Sequence, residues 1–290
     1  MPRRGSISRL PIFLQLPATI VIWSLVGFVL PWLIFSLFHN YHPTGGPVFV
    51  GLDNIITLLT DKRLFEAVLR TLYYAGVGTV AEVLLGLAVA LVLVNVVKNK
   101  VLRFAILIIF LVPMTLSEAI ASHIWLMLLT PQGYINSLLR SMGFTAVGWL
   151  GEEMALNSLI VADVWQWSPL PLLLIFAART SIPQEMYEVA NLDRISPWTT
   201  FRVVTWPHIR DAVVVAGLLR FILMYITIDK ILLITYGGPG LATETIGFYV
   251  FLQAFSYRNI GYAATLSLAT LVAAGLIAYV FWRILTKRVE

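Results

Sequence analysis

The 290-residue chain contains no cysteine. Its absence removes a disulfide framework, a thiolate metal site and a cysteine nucleophile, and leaves the redox compartment unreadable. Charge is almost as scarce. Only 12% of the residues are Asp, Glu, Lys or Arg, about half the share of an average soluble domain, too few to cover a surface facing water. A soluble enzyme and a disordered chain are both excluded. The four histidines, His39, His42, His123 and His208, are scattered and read as loop or packing residues, so no metal site is expected. No HExxH or GxSxG motif occurs, which leaves hydrolase chemistry without a constellation. The chain also has no GxxxxGK[ST] loop for a nucleotide. No block of five or six basic residues occurs either, so the net charge of +5 does not point to nucleic acid.

Apolar side chains are what the sequence has in abundance: 59% by the AVILMFWYC count, with a mean hydropathy of +0.86. A helical span needs about 20 apolar residues, so the reading is an all-α membrane protein forming a single domain over 1–290. Six spans are expected, over 16–38, 72–97, 104–129, 156–178, 213–235 and 262–285. The first is read as a retained helix rather than a cleaved signal peptide, because its apolar run is long and no small-x-small site follows. With a cytosolic N-terminus, the inner segments hold thirteen Lys and Arg against five in the outer ones. The positive-inside rule then puts both termini in the cytosol.

The inner segment over 179–212 is too long to be a plain connector. Pro183 suits the first turn of a helix, and Ser196 followed by Pro197 is a second cap and first-turn pair. Two short helices at an angle are expected, the second ending before Pro207. Met186, Tyr187, Val189, Trp198 and Phe201 give the segment an apolar face. It suits either an interfacial hairpin lying on lipid or a knob that docks on a protein.

Ionisable residues inside spans usually face a cavity or a partner; here they are Glu82, Glu118, Asp163, Arg220, Asp229 and Lys230. Arg220, Leu223, Met224 and Thr227 recur at i, i+3, i+4 and i+7, one face of a helix. Pro169 and Pro171 interrupt the fourth span, and broken helices often border a transport path. Asp229 and Lys230 are neighbours, so a continuous helix would point them about 100° apart. Arg220 has an alternative reading as the partner of a carboxylate such as Asp163 or Asp229, and Trp167 as packing.

The segment from Pro183 to Pro207, with Glu188, Val189, Ala190, Asp193, Arg194, Val204, Trp206 and Pro207, resembles the EAA loop of ABC importer permeases. Three further stretches are similar to the maltose/glycerol-3-phosphate-type branch: Val50 to Asn54, Trp125 to Asn136 with Gly133, and Thr235 to Thr245 followed by Gly261 to Ala264. The resemblance implies a type I importer permease with six transmembrane helices and a two-helix cytosolic coupling loop. It implies Glu185, Glu188, Val189, Ala190, Asp193, Arg194 and Pro207 at the contact with an ATPase. It also implies that Gln166, Trp167, Leu170, Arg220, Leu223, Met224 and Thr227 line the path of a sugar or polyol. Gly237, Gly238 and Pro239 would form an outer turn facing a solute-binding protein, or an ordinary interhelical turn. The implied partners are a homologous second permease, two ATPase subunits carrying ATP and Mg, the binding protein and the lipid of a prokaryotic inner membrane. The pattern departs at the family glycine, which is Arg194 here; a side chain in a left-handed turn costs about 1–2 kcal/mol. An ion- or proton-coupled secondary carrier is the alternative; no inverted repeat or linked acidic relay supports it.

Overall fold

The computed structural model describes residues 10–42 and 46–286. Four helical stretches are long and apolar enough to cross a membrane, and two bent helix pairs raise the number to six if each pair counts as one span. The backbone divides into two compact units, residues 1–61 with 250–271 and residues 62–249 with 272–290.

In the first unit, α1 (Leu10–Leu37) leads into a small antiparallel hairpin, β1 (His39–His42) and β2 (Gly46–Phe49), with His39 opposite Phe49. Asn54, on the short helix α2 (Asp53–Thr60), is buried and donates to the Leu37 carbonyl at 2.9 Å, which satisfies one of the carbonyls orphaned at the end of α1. Helix α13 (Ile260–Thr286) starts here, and its Tyr262 hydroxyl donates to Asp61 at 2.6 Å. The side chains of α1 from Leu16 to Phe35 are mostly exposed and apolar, as expected of a helix whose solvent is lipid.

In the second unit, α3 (Lys62–Asn95) packs against α7 (Ala155–Trp167), α8 (Pro169–Thr180) and α11 (Trp206–Ile226). Close approach is set by a missing side chain. A Cβ at Gly86 would sit 2.7 Å from the Leu172 nitrogen and 2.9 Å from Pro171, so only glycine lets α3 and α8 meet there. Ala90, Leu93, Leu172, Ile175, Ile182, Ala190, Val204 and Ile209 form the apolar core at one end of this unit.

Three breaks matter for function. The expected third span is not one helix. It is α4 (Lys100–Thr115) and α5 (Glu118–Leu129), bent by 95° together with the following α6 (Tyr134–Ser141). Pro113 weakens the end of α4, and Ser117 opens α5 by accepting from the Ile120 amide at 3.3 Å. The α7–α8 pair bends by 44° at Ser168, where Pro169 fits the first turn of the new helix. The fifth span also departs from expectation: α11 stops at Ile226, and Thr227 is extended with ψ 144. Three successive β-branched residues, Ile226, Thr227 and Ile228, lose rotamer freedom in a helix. Thr227 therefore does not share a helical face with Arg220.

The segment before α11 differs too. Helix α9 (Gln184–Leu192) is where it was expected, but the second helix does not end before Pro207. From α10 (Pro197–Thr200) the chain runs through a π-helical turn at Phe201–Thr205 directly into α11, with Pro207 as its second residue. The widened turn accommodates a ring that would otherwise press on the carbonyl four residues back.

Candidate functional site

Five charged side chains from five segments meet inside the second unit. Arg220 of α11 pairs with Glu82 of α3 through Nε to Oε2 and through Nη2 to Oε1 at 2.8 Å. The same Nη2 reaches Asp163 Oδ2 of α7 at 2.9 Å. Asp163 uses its other oxygen for Lys230 Nζ at 2.7 Å, and Lys230 also binds Glu118 Oε2 of α5 at 2.8 Å. Glu118 Oε1 accepts from the Trp167 indole N–H at 2.8 Å. The Arg220 guanidinium lies 5.0 Å from the centre of the Trp167 ring. Glu82 and Glu118, which sequence left without partners, are thus both paired, and Arg220 binds Asp163 rather than Asp229.

The helix breaks create this junction. The break at 116–117 places Glu118 in the first turn of α5, and the break after Ile226 turns Lys230 inward while Asp229 stays exposed. Beside the network opens a cavity of about 400 Å³, lined among others by Glu118, Trp167, Arg220, Thr227 and Asp229. Five of the seven residues expected along a path line it: Trp167, Arg220, Leu223, Met224 and Thr227. Gln166 is fully buried and donates to the Leu116 carbonyl at 3.2 Å, capping the broken α4 instead. Leu170 is half-buried outside the cavity lining. Glu118, Asp163 and Asp229 also line the cavity. They were expected only as span carboxylates facing a cavity or a partner, with Asp163 and Asp229 as candidate partners of Arg220; the local signal was a carboxylate in an apolar run.

The α8–α11 connection is braced from within. Arg179, buried at the end of α8, donates to Asn95 Oδ1 at 2.8 Å and lies 4.1 Å from the centre of the Tyr187 ring. The Tyr187 hydroxyl is 3.0 Å from Thr205 Oγ1. Ala190 is buried in the chain's own core, so it seats α9 on this chain. Glu185, Glu188 and Asp193 are exposed. Val189 (57%), Leu192 (81%) and Trp198 (71%) present apolar surface outward.

Arg194 takes the left-handed conformation the family glycine would take, with φ 51. Its amide donates to the Asn191 carbonyl at 3.1 Å, and the Ile195 amide donates to Ala190 at 3.2 Å. These paired bonds form a Schellman cap, and Ile195 completes it by packing against the cluster that holds Ala190.

At the far end of the α11 segment, Tyr236 (φ 51) and Gly237 (φ 82) reverse the chain before the cis Gly238–Pro239 bond. A Cβ at Gly237 would run into the Phe248 ring. Thr243 braces the turn by donating to the Gly238 carbonyl at 3.0 Å, and buried Glu244 takes a two-pronged pair from Arg63 at 2.8 and 2.6 Å.

Residues 82–290 match the family described as binding-protein-dependent transport system inner membrane component. The chain is 29% identical over 281 residues to a probable ABC transporter permease of Sinorhizobium fredii, covering 94% of this chain and 89% of that one. It is 35% identical over 216 residues to a trehalose/maltose transport system permease of Thermococcus litoralis, covering 73% and 70%. Among solved structures, a bacterial ABC transporter that imports the acidic polysaccharide alginate has a chain of the same fold, with TM-score 0.77, 22% identity and coverage of 95% and 96%.

Proposed function

Because the chain belongs to the family of binding-protein-dependent transport system inner membrane components, we propose that it forms half of the path by which an ABC importer carries a sugar, oligosaccharide or related polyol inward. The observation that carries this reading is the outward apolar edge of Val189, Leu192 and Trp198 on a loop that its own core holds rigid. A solvated connector has no use for such an edge; a helix that fits a groove on an ATPase does. Ala190 acts from beneath, fixing the angle of α9, while Glu185, Glu188, Asp193 and the exposed apolar residues make the contact.

Energy enters through this loop, since the chain has no nucleotide-binding motif of its own. Two ATPase subunits bind ATP and Mg, and their closure draws the docking loops of two homologous permeases together. The bundle then exposes its cavity to the outside, where a binding protein leans on the Gly237–Gly238–Pro239 turn and delivers cargo. Both termini and the loop lie in the cytosol, in keeping with the excess of basic residues there. The trehalose/maltose relative supports a sugar as cargo. The cavity chemistry agrees: an indole face for sugar C–H surfaces, with hydroxyl and carboxylate groups beside it.

The test is Leu192→Asp in the full complex. The exposed position tolerates the charge, so membrane insertion and thermal stability should stay at the wild-type level. Association with the ATPase subunits and cargo uptake should both fall at least tenfold. Normal co-purification with the ATPase would overturn the docking role.

A further inference from the structure

The cavity wall is unbalanced in charge. Both cations are locked away: Arg220 is held by Glu82 and Asp163, and Lys230 by Asp163 and Glu118. Both are almost entirely buried. Counted as ionised, the network holds three carboxylates against two cations. Glu118, the member most open to the cavity, spends its oxygens on Lys230 and on the Trp167 N–H. Asp229 is different. It lines the same cavity, is exposed, and has no ion pair or side-chain hydrogen bond among the described residues. What cargo meets on this side is an uncompensated carboxylate, with no free ammonium or guanidinium among the lining residues to receive an anion.

We infer that this half of the cavity selects against negative charge, with Asp229 as the specificity-determining residue. It passes neutral or aminated polyhydroxy cargo and repels uronates, sulfonates and phosphate esters. The inference deepens the proposed transport of a sugar and rests on the cavity being the cargo path.

Hydroxyl groups suit such a wall. A carboxylate accepts hydrogen bonds from sugar hydroxyls, whereas an anionic sugar brought against it meets a like charge that nearby groups do not offset. In water, a carboxylate roughly 6 Å from a passing group favours a unit cation over a unit anion by about tenfold. The preference should shrink as salt shortens the screening length.

The absence of cysteine from the chain makes the potential measurable without knowing the cargo. Thr227→Cys places a thiol on the cavity wall. In the reconstituted complex, its reaction rates with a trimethylammonium and a sulfonate methanethiosulfonate are compared, each normalised to a free thiol in solution. The complex carrying the unmodified chain supplies the background. The cationic reagent should react about tenfold faster, and adding Asp229→Asn should bring the ratio down several-fold. Leu223→Cys serves as a second position if Thr227→Cys does not assemble.

Equal normalised rates, or a ratio indifferent to Asp229→Asn, would overturn the inference. So would failure of both thiols to react, since Asp229 would then not face a space that cargo can enter. These outcomes are separable from the sugar assignment. A complex that carries no sugar but keeps the tenfold ratio refutes the cargo reading alone. One that carries neutral sugars with no charge preference refutes only the role of Asp229.

Discussion

Asp163 is the keystone of the buried network, and removing its charge should be costly in a way that removing a second charge repairs. Its two oxygens hold Arg220 at 2.9 Å and Lys230 at 2.7 Å, and its side chain is only 3% exposed. In Asp163→Asn the amide can face only one cation with its oxygen, and its NH2 group points a donor at the other. Lys230, 1% exposed, then depends on Glu118 alone. Each buried cation keeps one carboxylate, Arg220 its Glu82 and Lys230 its Glu118, so the cost is that of a lost charge-assisted bond, about 1.5–3 kcal/mol.

The double variant Asp163→Asn with Lys230→Met removes the ammonium that the new amide donor would otherwise face. Arg220 keeps both oxygens of Glu82, and Glu118, the network member most open to the cavity, can hydrate there. The single variant should therefore lose about 1.5–3 kcal/mol of unfolding free energy, measured by SDS titration in mixed micelles. The double variant should recover part of it, with a coupling energy of about 1–3 kcal/mol. Additive losses in the cycle, or an Asp163→Asn chain within about 0.5 kcal/mol of wild type, would refute the keystone reading. The ordinary scatter of surface substitutions is about that size.

Arg194→Gly should stabilise the chain by about 0.5–1 kcal/mol in the same titration, since the left-handed strain of about 1–2 kcal/mol is relieved and glycine's unfolded-state entropy offsets part of the gain. Arg194→Val should destabilise, because a β-branched residue fits φ 51 worse than arginine does. Gly86→Val should push α3 and α8 apart, a loss of about 1–3 kcal/mol or more seen as a lowered unfolding midpoint. Unchanged stability would mean that the approach to Leu172 and Pro171 is not tight.

The features legible in the sequence are those with a local signature. Apolar runs marked the spans, Pro183 and the Ser196–Pro197 pair marked the starts of α9 and α10, and the two prolines after Ser168 marked the bend of the fourth span. The face from Arg220 to Met224 was legible as one helical face because it lies within unbroken α11, while its direction toward a cavity came from the family resemblance and not from periodicity. What escaped was non-local. Glu82 and Arg220 are 138 positions apart, and no periodicity in one segment reports a carboxylate waiting in another. Hydropathy averages over a window and is blind to direction, so a 95° turn at Leu116–Ser117 and an extended Thr227 both passed as continuous helix. The burial of Ala190 was equally out of reach: a small residue in a docking motif suggests room for a partner, and nothing local shows that it belongs to the same buried cluster as Ile182 and Ile209.

The non-local part is also what joins the site into one object. The segments bearing Glu118 and Lys230 follow helix breaks, and a chain with straight third and fifth spans would carry those charges to different faces. The breaks cost backbone hydrogen bonds, which in an apolar environment are expensive to leave unmade. At the first break the Gln166 amide takes up the freed Leu116 carbonyl, while the ion pairs hold the two broken segments in place. The network then does two things at once. It fixes the two broken segments against α7, and it engages Arg220 and Lys230, the cations that meet at this junction among the described residues. The lone charge of Asp229 follows from that second effect: a wall whose positive groups are spent on holding its own backbone open has only negative charge left to show to whatever passes.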